Sequence, residues 1–407
     1  MVDIRDVPDD DIDRALELGH LVFHERPGEE ERAHHRELLA GCERIGAYDG
    51  GTLVGLMAAH PFRLSVPGAE LPCPSLASVA VAPTHRRRGV LSALMAEQLA
   101  RAARTGRPLA ALWASEAAIY GRFGFGAATQ GVAVEIDSTR PLALRITPDD
   151  RPLRLVDPAQ APGLLGPYYD RTRADRAGRP ARSAERWRTE WLREKDPEDD
   201  TLGPPRILAL GEPLAGYAVF RTKGEDDSGP VRVPGVVRVD ELEADTPQAA
   251  AALWQCLAAV DLTGRVTAWG RPPDDPLLLF AADRDQVRTT GQYPALWLRL
   301  VDVRAALTAR AWAAPVELAL DVTDAQLPAN AGRFRLKADP GGCTYEPSRA
   351  PADLAVEARD LAACYLGGTR AGDLVRAGLA AEHTPGAAAA LDAALRTPRL
   401  PHTLEDF

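Results

Sequence analysis

Residues 75–104 read SLASVAVAPTHRRRGVLSALMAEQLARAAR, and this stretch decides the fold. The apolar run Ser75–Ala82 is stopped by Pro83 and reads as a buried strand. A helix is expected from about Gly89 to Arg104, because Leu91, Leu94, Met95, Leu99 and Ala102 recur at helical spacing. Leu109–Ala114 is another buried strand, and Ser115–Tyr120 opens a short helix ending near Gly121. The order strand, tight turn, long helix, strand puts the arginine turn at the carboxyl end of a strand. In open α/β sheets that edge binds ligands. A helix N-terminus offers unpaired backbone N–H groups and the positive end of its dipole. With glycine allowing close approach and arginines adding charge, Arg86-Arg87-Arg88-Gly89 suits a pyrophosphate. A solvated basic turn is the plain alternative, and the flanking strand and helix weigh against it.

Working outward, Asp9 to Asp11 can start a helix carrying Ile12, Ala15, Leu16 and Gly19 on one face. A hairpin follows, Arg44–Tyr48 and Thr52–Ala59 around Asp49-Gly50-Gly51, and a second strand pair flanks Pro67-Gly68. From about residue 150 the plan repeats in weaker spelling. GEPLAGYAVFR at 211–221 echoes GGTLVGLMAAH at 50–60, and Arg265–Trp269 echoes Leu109–Trp113. Val236–Glu243 leads into a helix from Pro247, but the junction EADTPQAAAA has neither glycine nor arginine. Thr246 and Pro247 form an ordinary N-cap and first turn. The second copy keeps the scaffold without the anion turn. From about 291 the pattern changes to α+β, through ALWLRLVDVRAALTAR, VELALDVTD, Asp353–Tyr365 and an Ala-rich helix over Gly386–Ala394.

Composition narrows the classes. At 407 residues the chain holds two to three domains of roughly 150 residues and needs no disulfide or metal staple. Hydrophobic residues at 45% argue against disorder, and a net charge of −10 argues against a nucleic-acid partner. Only Lys195, Lys223 and Lys337 are lysines, as in a GC-rich genome. The five cysteines lie far apart without a C-x-x-C pair, so neither a disulfide framework nor a zinc knuckle is expected. No apolar stretch approaches the roughly 18 residues of a membrane span, and MVDIRDVPDDD has no signal core. A cytoplasmic protein with no membrane partner is expected.

Arg86-x-x-Gly89-Val90-Leu91 is similar to the acyl-CoA-binding pattern Q/R-x-x-G-x-G/A of the GNAT superfamily, with Leu91 in place of the usual glycine or alanine. Taken with ALWASEAAIYGRFGFG at 111–126, the chain resembles the Eis (enhanced intracellular survival) family of actinobacterial N-acetyltransferases. The resemblance runs the whole length and implies an α+β fold, mixed α/β, in three parts. These are a catalytic GNAT domain at 1–148, a degenerate GNAT-like domain at 149–290, and a sterol-carrier-protein-like domain at 291–407, marked by LWLRLVDV and YLGG. It implies acetyl-CoA as co-substrate, held by Val79, Ala80 and Val81 along the pantetheine arm, by Arg87, Arg88, Gly89, Val90, Leu91 and Ser92 at the pyrophosphate, and flanked by Ser115 and Glu116. It implies Tyr120 as general acid, the carboxylate of the terminal Phe407 as general base, and a homohexamer. The acceptor it implies is a small polycationic amine, aminoglycoside-like or polyamine-like, modified at several amines; protein lysines are a further option.

Those roles fit the chemistry. Amine attack on a thioester passes through a tetrahedral oxyanion that a strand N–H can stabilise. A tyrosine with a pKa of about 10 can protonate the departing thiolate. A terminal carboxylate with a pKa of about 3.5 is a weak base unless burial raises it, and it can instead orient the ammonium by charge. A second reading, from the third region, is an acyl-CoA- or lipid-binding regulatory module without turnover. Other candidates read as structural. His85 is a surface turn residue, His34-His35 a solvated helix face without an acidic or cysteine partner, and Trp187 with Trp191 one packed helix face. No residues are assigned to a metal.

Overall fold

The chain begins with β1 (Asp3–Asp6) and two helices, α1 (Ile12–Phe23) and α2 (Glu29–Ala40), in a computed structural model that describes residues 2–197, 199–225 and 234–407. A hairpin of β2 (Glu43–Asp49) and β3 (Thr52–His60) follows, turning through Gly50 and Gly51. Two short strands, β4 (Arg63–Val66) and β5 (Ala69–Pro72), form a separate ribbon around Pro67-Gly68. Then come β6 (Ser75–Val81), α3 (Val90–Arg104), β7 (Leu109–Trp113) and β8 (Gly126–Ala127). The strand–turn–helix–strand expectation holds within a residue or two at each end. Within α3, Val90, Leu94, Met95, Leu99 and Ala102 are buried, while Leu91 is only half-buried. They pack with Ile45, Met57, Leu76 and Leu112 into one core, each large aliphatic contributing about 1.5–3 kcal/mol.

The first sheet runs β1-β2-β3-β6-β7, then Leu296–Leu300, then β8. The strand after β8, β9 (Gln130–Asp137), lies in the second sheet instead, between Thr263–Arg271 and Val287–Pro294. β9 thus belongs with the second sheet, and Leu296–Leu300 returns to the first. The chain passes from one compact unit to the other at 129/130 and back at 294/295, with residues 302–401 counted in the first unit. The bounds expected from the sequence are 148/149 and 290/291. LWLRL, read from the sequence as opening the third region, is a central strand of the first sheet, antiparallel to β7 and β8. All five of its residues are buried, so it needs covered faces and paired edges on both sides.

The second sheet continues through Leu153–Val156, Arg206–Leu210, Gly216–Lys223 and Gly235–Ala244. The helix Pro247–Ala258 is capped as expected, with the Ala249 N–H donating to Thr246 Oγ1 at 3.1 Å. Trp187 is buried and Trp191 packs beside it, with the Arg182 guanidinium stacked on Trp191 and bonded to the Glu241 carboxylate through two 2.9 Å hydrogen bonds. In the third region five strands order as Gly342–Pro347, Gly332–Asp339, Val316–Thr323, Leu354–Glu357 and Ala380–Glu382.

Candidate active site

Along the β3–β6 ladder, Leu56 faces Ala80 and Ala58 faces Ala77, so Met57 alone opposes Ser78 and Val79. Ser78 adopts φ 50°, and this extra residue is a β-bulge. The bulge bends β6 away from β7. Their parallel pairing covers Ser75–Ala111 and Leu76–Leu112 and goes no further. In the second sheet the corresponding parallel pair stays joined over five residues, from Gly235 to Val239. A gap therefore opens between β6 and β7 in the first sheet. Backbone groups alternate sides along a strand, and the Ala82 N–H bonds across to Val54 O at 2.9 Å. Val81 and Val79 consequently turn their N–H and C=O toward the gap, while buried Ala80 faces Leu56 on β3. Of the three expected pantetheine residues, two line the gap with backbone and Ala80 supplies packing.

Beyond β6, Arg87 is left-handed at φ 60° and Gly89 at φ 80°, with Arg88 between them outside that region. Alternating backbone hands aim successive N–H groups into one concavity, an anion nest. α3 starts at Val90, so the free first-turn N–H groups are those of Val90, Leu91 and Ser92. Glycine at 89 is required by its φ, since a side chain there is strained although the surrounding space is open. His85 is committed elsewhere. Its Nε2 lies 3.1 Å from Asp49 Oδ2 and its Nδ1 2.8 Å from Thr84 Oγ1, while Arg88 reaches the same Asp49 oxygen at 3.5 Å. The hydrogen bond from His85, with Arg88 nearby, holds the Asp49 carboxyl below its ordinary range. Asp49, in the hairpin turn, thus orients the anion turn. The DGG signal marked that turn in the sequence but said nothing of its partner.

β7 ends at Trp113, one residue beyond the Leu76–Leu112 pair, so the chain leaves it level with the bulge. Exposed Ser115 and Glu116 follow, and the helix spans Ala117–Tyr120, shorter than the six residues the sequence suggested. Tyr120 is buried, edge-on to Phe125 with ring centroids 6.3 Å apart. Burial pushes its phenol above the ordinary value, and the Glu116 carboxylate adds to the rise. The next turn rests on a group that sequence reasoning missed. Arg299, fully buried on Leu296–Leu300, bonds both oxygens of Asp324 at 2.7 and 2.6 Å. A Cβ on Gly124, which sits at φ +83°, would crowd the Arg299 guanidinium at 2.7 Å. Gln326 Nε2 also donates to Arg122 O at 3.2 Å.

The last residues are held rather than frayed. Pro401 through Glu405 are buried, the His402 N–H donates to Ala177 O at 2.9 Å, and Thr403 Oγ1 donates to Gly178 O at 2.6 Å. Phe407 sets its ring edge-on against Phe62, centroids 5.4 Å apart, and Phe62 stacks on His60. His60 faces Ser75, so the terminus stands at the end of the β3–β6 ladder opposite the arginine turn. Six residue steps of strand carry Ser75 to Val81, about 20 Å. Val79, Val81 and the arginine turn thus follow the gap, Ser115 and Glu116 leave β7 just past its last pair with β6, Tyr120 packs in the core against Phe125, and Phe407 lies near the Ser75 end, where β6 and β7 are still joined.

A bulged strand that parts from its parallel neighbour, followed by an anion nest at a helix start, defines the GNAT class of acyltransferase. Residues 3–128 match an acetyltransferase (GNAT) domain family, 178–305 a second acetyltransferase (GNAT) domain family, and 303–404 a sterol carrier protein domain family. An uncharacterized N-acetyltransferase of Streptomyces avermitilis is 41% identical over 393 residues, covering 92% of this chain and 93% of its own. The N-acetyltransferase Eis of Mycobacterium tuberculosis is 37% identical over 342 residues, covering 82% and 81%. The crystal structure of Eis1 from Mycobacterium abscessus matches all of both chains at TM-score 0.86 and 32% identity. The chain belongs to the Eis family of GNAT N-acetyltransferases.

Proposed function

We propose that this N-acetyltransferase moves acetyl from acetyl-CoA to primary amines of small polycationic acceptors, aminoglycoside-like or polyamine-like, at more than one amine of the same acceptor. The parting of β6 from β7 at the Ser78 bulge carries this reading, because it turns Val79 and Val81 backbone toward a gap of strand length. Acetyl-CoA supplies the activated thioester. The nest of Arg87, Arg88 and Gly89, with the first-turn N–H groups of Val90, Leu91 and Ser92, binds its pyrophosphate. Val79 and Val81 hold the pantetheine arm as an added strand edge, and an N–H beside the bulge stabilises the oxyanion that develops on the carbonyl. Tyr120 keeps its proton at neutral pH, since its pKa is raised, and delivers it to the leaving sulfur. The Phe407 carboxylate orients the incoming ammonium by charge and draws off its proton.

A net charge of −10 suits a cationic acceptor. Among the described residues no helix is long and apolar enough to cross a membrane. The reading includes a cytoplasmic homohexamer with no nucleic-acid or membrane partner, which light scattering of the purified chain checks for assembly. Free-thiol release from acetyl-CoA, measured on protein with a native C-terminus, tests the activity. The panel holds kanamycin- and neomycin-type aminoglycosides, polyamines and a lysine peptide. Release of more than one thiol per acceptor is expected with the polycations. Extending the chain past Phe407 by a few residues should abolish turnover and leave acetyl-CoA affinity intact. Unchanged turnover would remove Phe407 from the mechanism, and acetyl-CoA binding without turnover on any amine would favour a binding module.

A further inference from the structure

Three side chains distant in sequence spacing from any metal motif converge where α1 meets α2. His20 Nε2 lies 3.0 Å from His35 Nδ1 and 3.9 Å from the Glu25 carboxylate, and the three ligand atoms fall within 4.8 Å of one another. We propose that His20, His35 and Glu25 bind one zinc-type divalent cation that clasps α1 to α2.

The backbone builds this set deliberately. α1 ends at His24 in the left-handed conformation, φ 61°, and the chain folds back so that the Glu25 N–H bonds His20 O at 2.9 Å. That reversal returns the Glu25 carboxylate to the face carrying His20. His35 comes from the middle of α2, so two independent elements supply the ligands. His35 therefore has an acidic neighbour in Glu25, where a solvated helix face without one is expected from the sequence. The cations nearby are engaged with other groups: Arg36 pairs with Asp13, and Arg32 Nε donates to Pro27 O at 3.3 Å.

The dimensions suit a tetrahedral ion. Bonds of about 2.0–2.1 Å from an ion to nitrogen and oxygen put neighbouring ligand atoms roughly 3.3 Å apart. The 3.0 Å nitrogen pair must open slightly and the 3.9 Å nitrogen–oxygen pair must close, both by less than an ångström. Two imidazoles select a borderline cation over magnesium or calcium, which prefer all-oxygen sets. Three protein ligands leave a fourth position for water. A cleft of about 420 Å³ between the helices, with His20, Glu17 and Glu29 in its wall, gives solvent access. Ile12, Ala15 and Leu18 of α1 pack with Leu56, Ala58 and Ala80, so the clasp would hold the helix pair against the bulged strand.

Cobalt titration of the full-length, metal-stripped chain tests this, because cobalt reports its ligands by visible absorption. One equivalent should bind with bands of a nitrogen–oxygen set and without a thiolate charge-transfer band. Separate His20→Gln and His35→Ala variants, checked for native circular dichroism, should lose that equivalent, and a Cys42→Ser variant should keep it. Zinc should raise the melting temperature of the parent and leave both histidine variants unmoved, while magnesium moves none. The proposal is overturned by binding that survives both histidine substitutions, by a thiolate band, or by no cobalt uptake in the parent. Cys42 Sγ and His60 Nδ1, 3.2 Å apart, are the competing pair that the thiolate band would expose.

Discussion

Gly124 and Arg299 show how one residue's absence of a side chain can be a requirement set by another's charge. A Cβ at position 124 would lie 2.7 Å from the Arg299 guanidinium carbon, and the backbone there is left-handed. Gly124→Ala should therefore destabilise by about 2–3 kcal/mol, combining left-handed strain with displacement of a buried cation. Urea unfolding measures it, and a loss within ~0.5 kcal/mol would mean that Arg299 yields freely. Removing Asp324 leaves the Arg299 charge buried without its partner, and Asp324→Ala should cost about 3–5 kcal/mol. Under the proposed mechanism, Tyr120→Phe removes only the phenolic hydroxyl that protonates the leaving sulfur. It should lower kcat by ~10²–10⁴-fold with acetyl-CoA affinity unchanged. Because burial raises the Tyr120 pKa, its proton stays in place through neutral and mildly alkaline pH. Parent kcat should consequently show no alkaline fall from this group below about pH 10. A Tyr120→Phe enzyme with parent kcat would remove the general acid from that side chain.

At the scale of elements, β6, its turn and α3 were the most legible part of the sequence. The apolar strand, Pro83, the arginine–glycine turn and the helical spacing each have a local cause that one segment contains. The parting of β6 from β7 was not legible. SLASVAVA shows a strand, yet its extra residue at Ser78 is defined only against Met57 on another strand. Asp49 escaped for the same reason, since its hold on His85 and Arg88 crosses between two turns. That hold should matter for donor binding. Asp49→Ala frees the arginine turn, so the acetyl-CoA KM should rise several-fold while kcat stays near the parent value. Gly89→Ala should raise the same KM further, because its φ of 80° sets the nest. Steady-state kinetics with acetyl-CoA varied decide this. A fall in kcat with KM unchanged would mean that the turn acts on chemistry and not on anchoring the donor.

For the whole molecule, local pattern again identifies elements and leaves their partners open. Nothing within QGVAVEID at 130–137 or LWLRL at 296–300 says which sheet each strand joins. The tail is similar: TPRLPHTLEDF has the composition of a loose end, and its burial comes from contacts far away in sequence. His402 makes that burial sensitive to pH. Its Nε2 donates to Gly270 O at 2.5 Å, and burial, with Arg176 nearby, lowers its pKa well below 6.5. In the unfolded chain the same imidazole takes up a proton near pH 6.5, whereas the folded chain stays neutral. Above that pH both states are neutral and the docked tail has its full stability. Below it the unfolded state binds more protons, so stability falls by up to about 1.4 kcal/mol per pH unit from this one group. Melting temperatures of the parent and His402→Gln, compared between about pH 7.5 and pH 5.5, isolate the effect. The parent should lose more than the variant on acidification, because glutamine can keep a hydrogen bond to Gly270 O without titrating. Equal slopes would mean that the tail leaves its seat, or its histidine is already wet, before the fold responds.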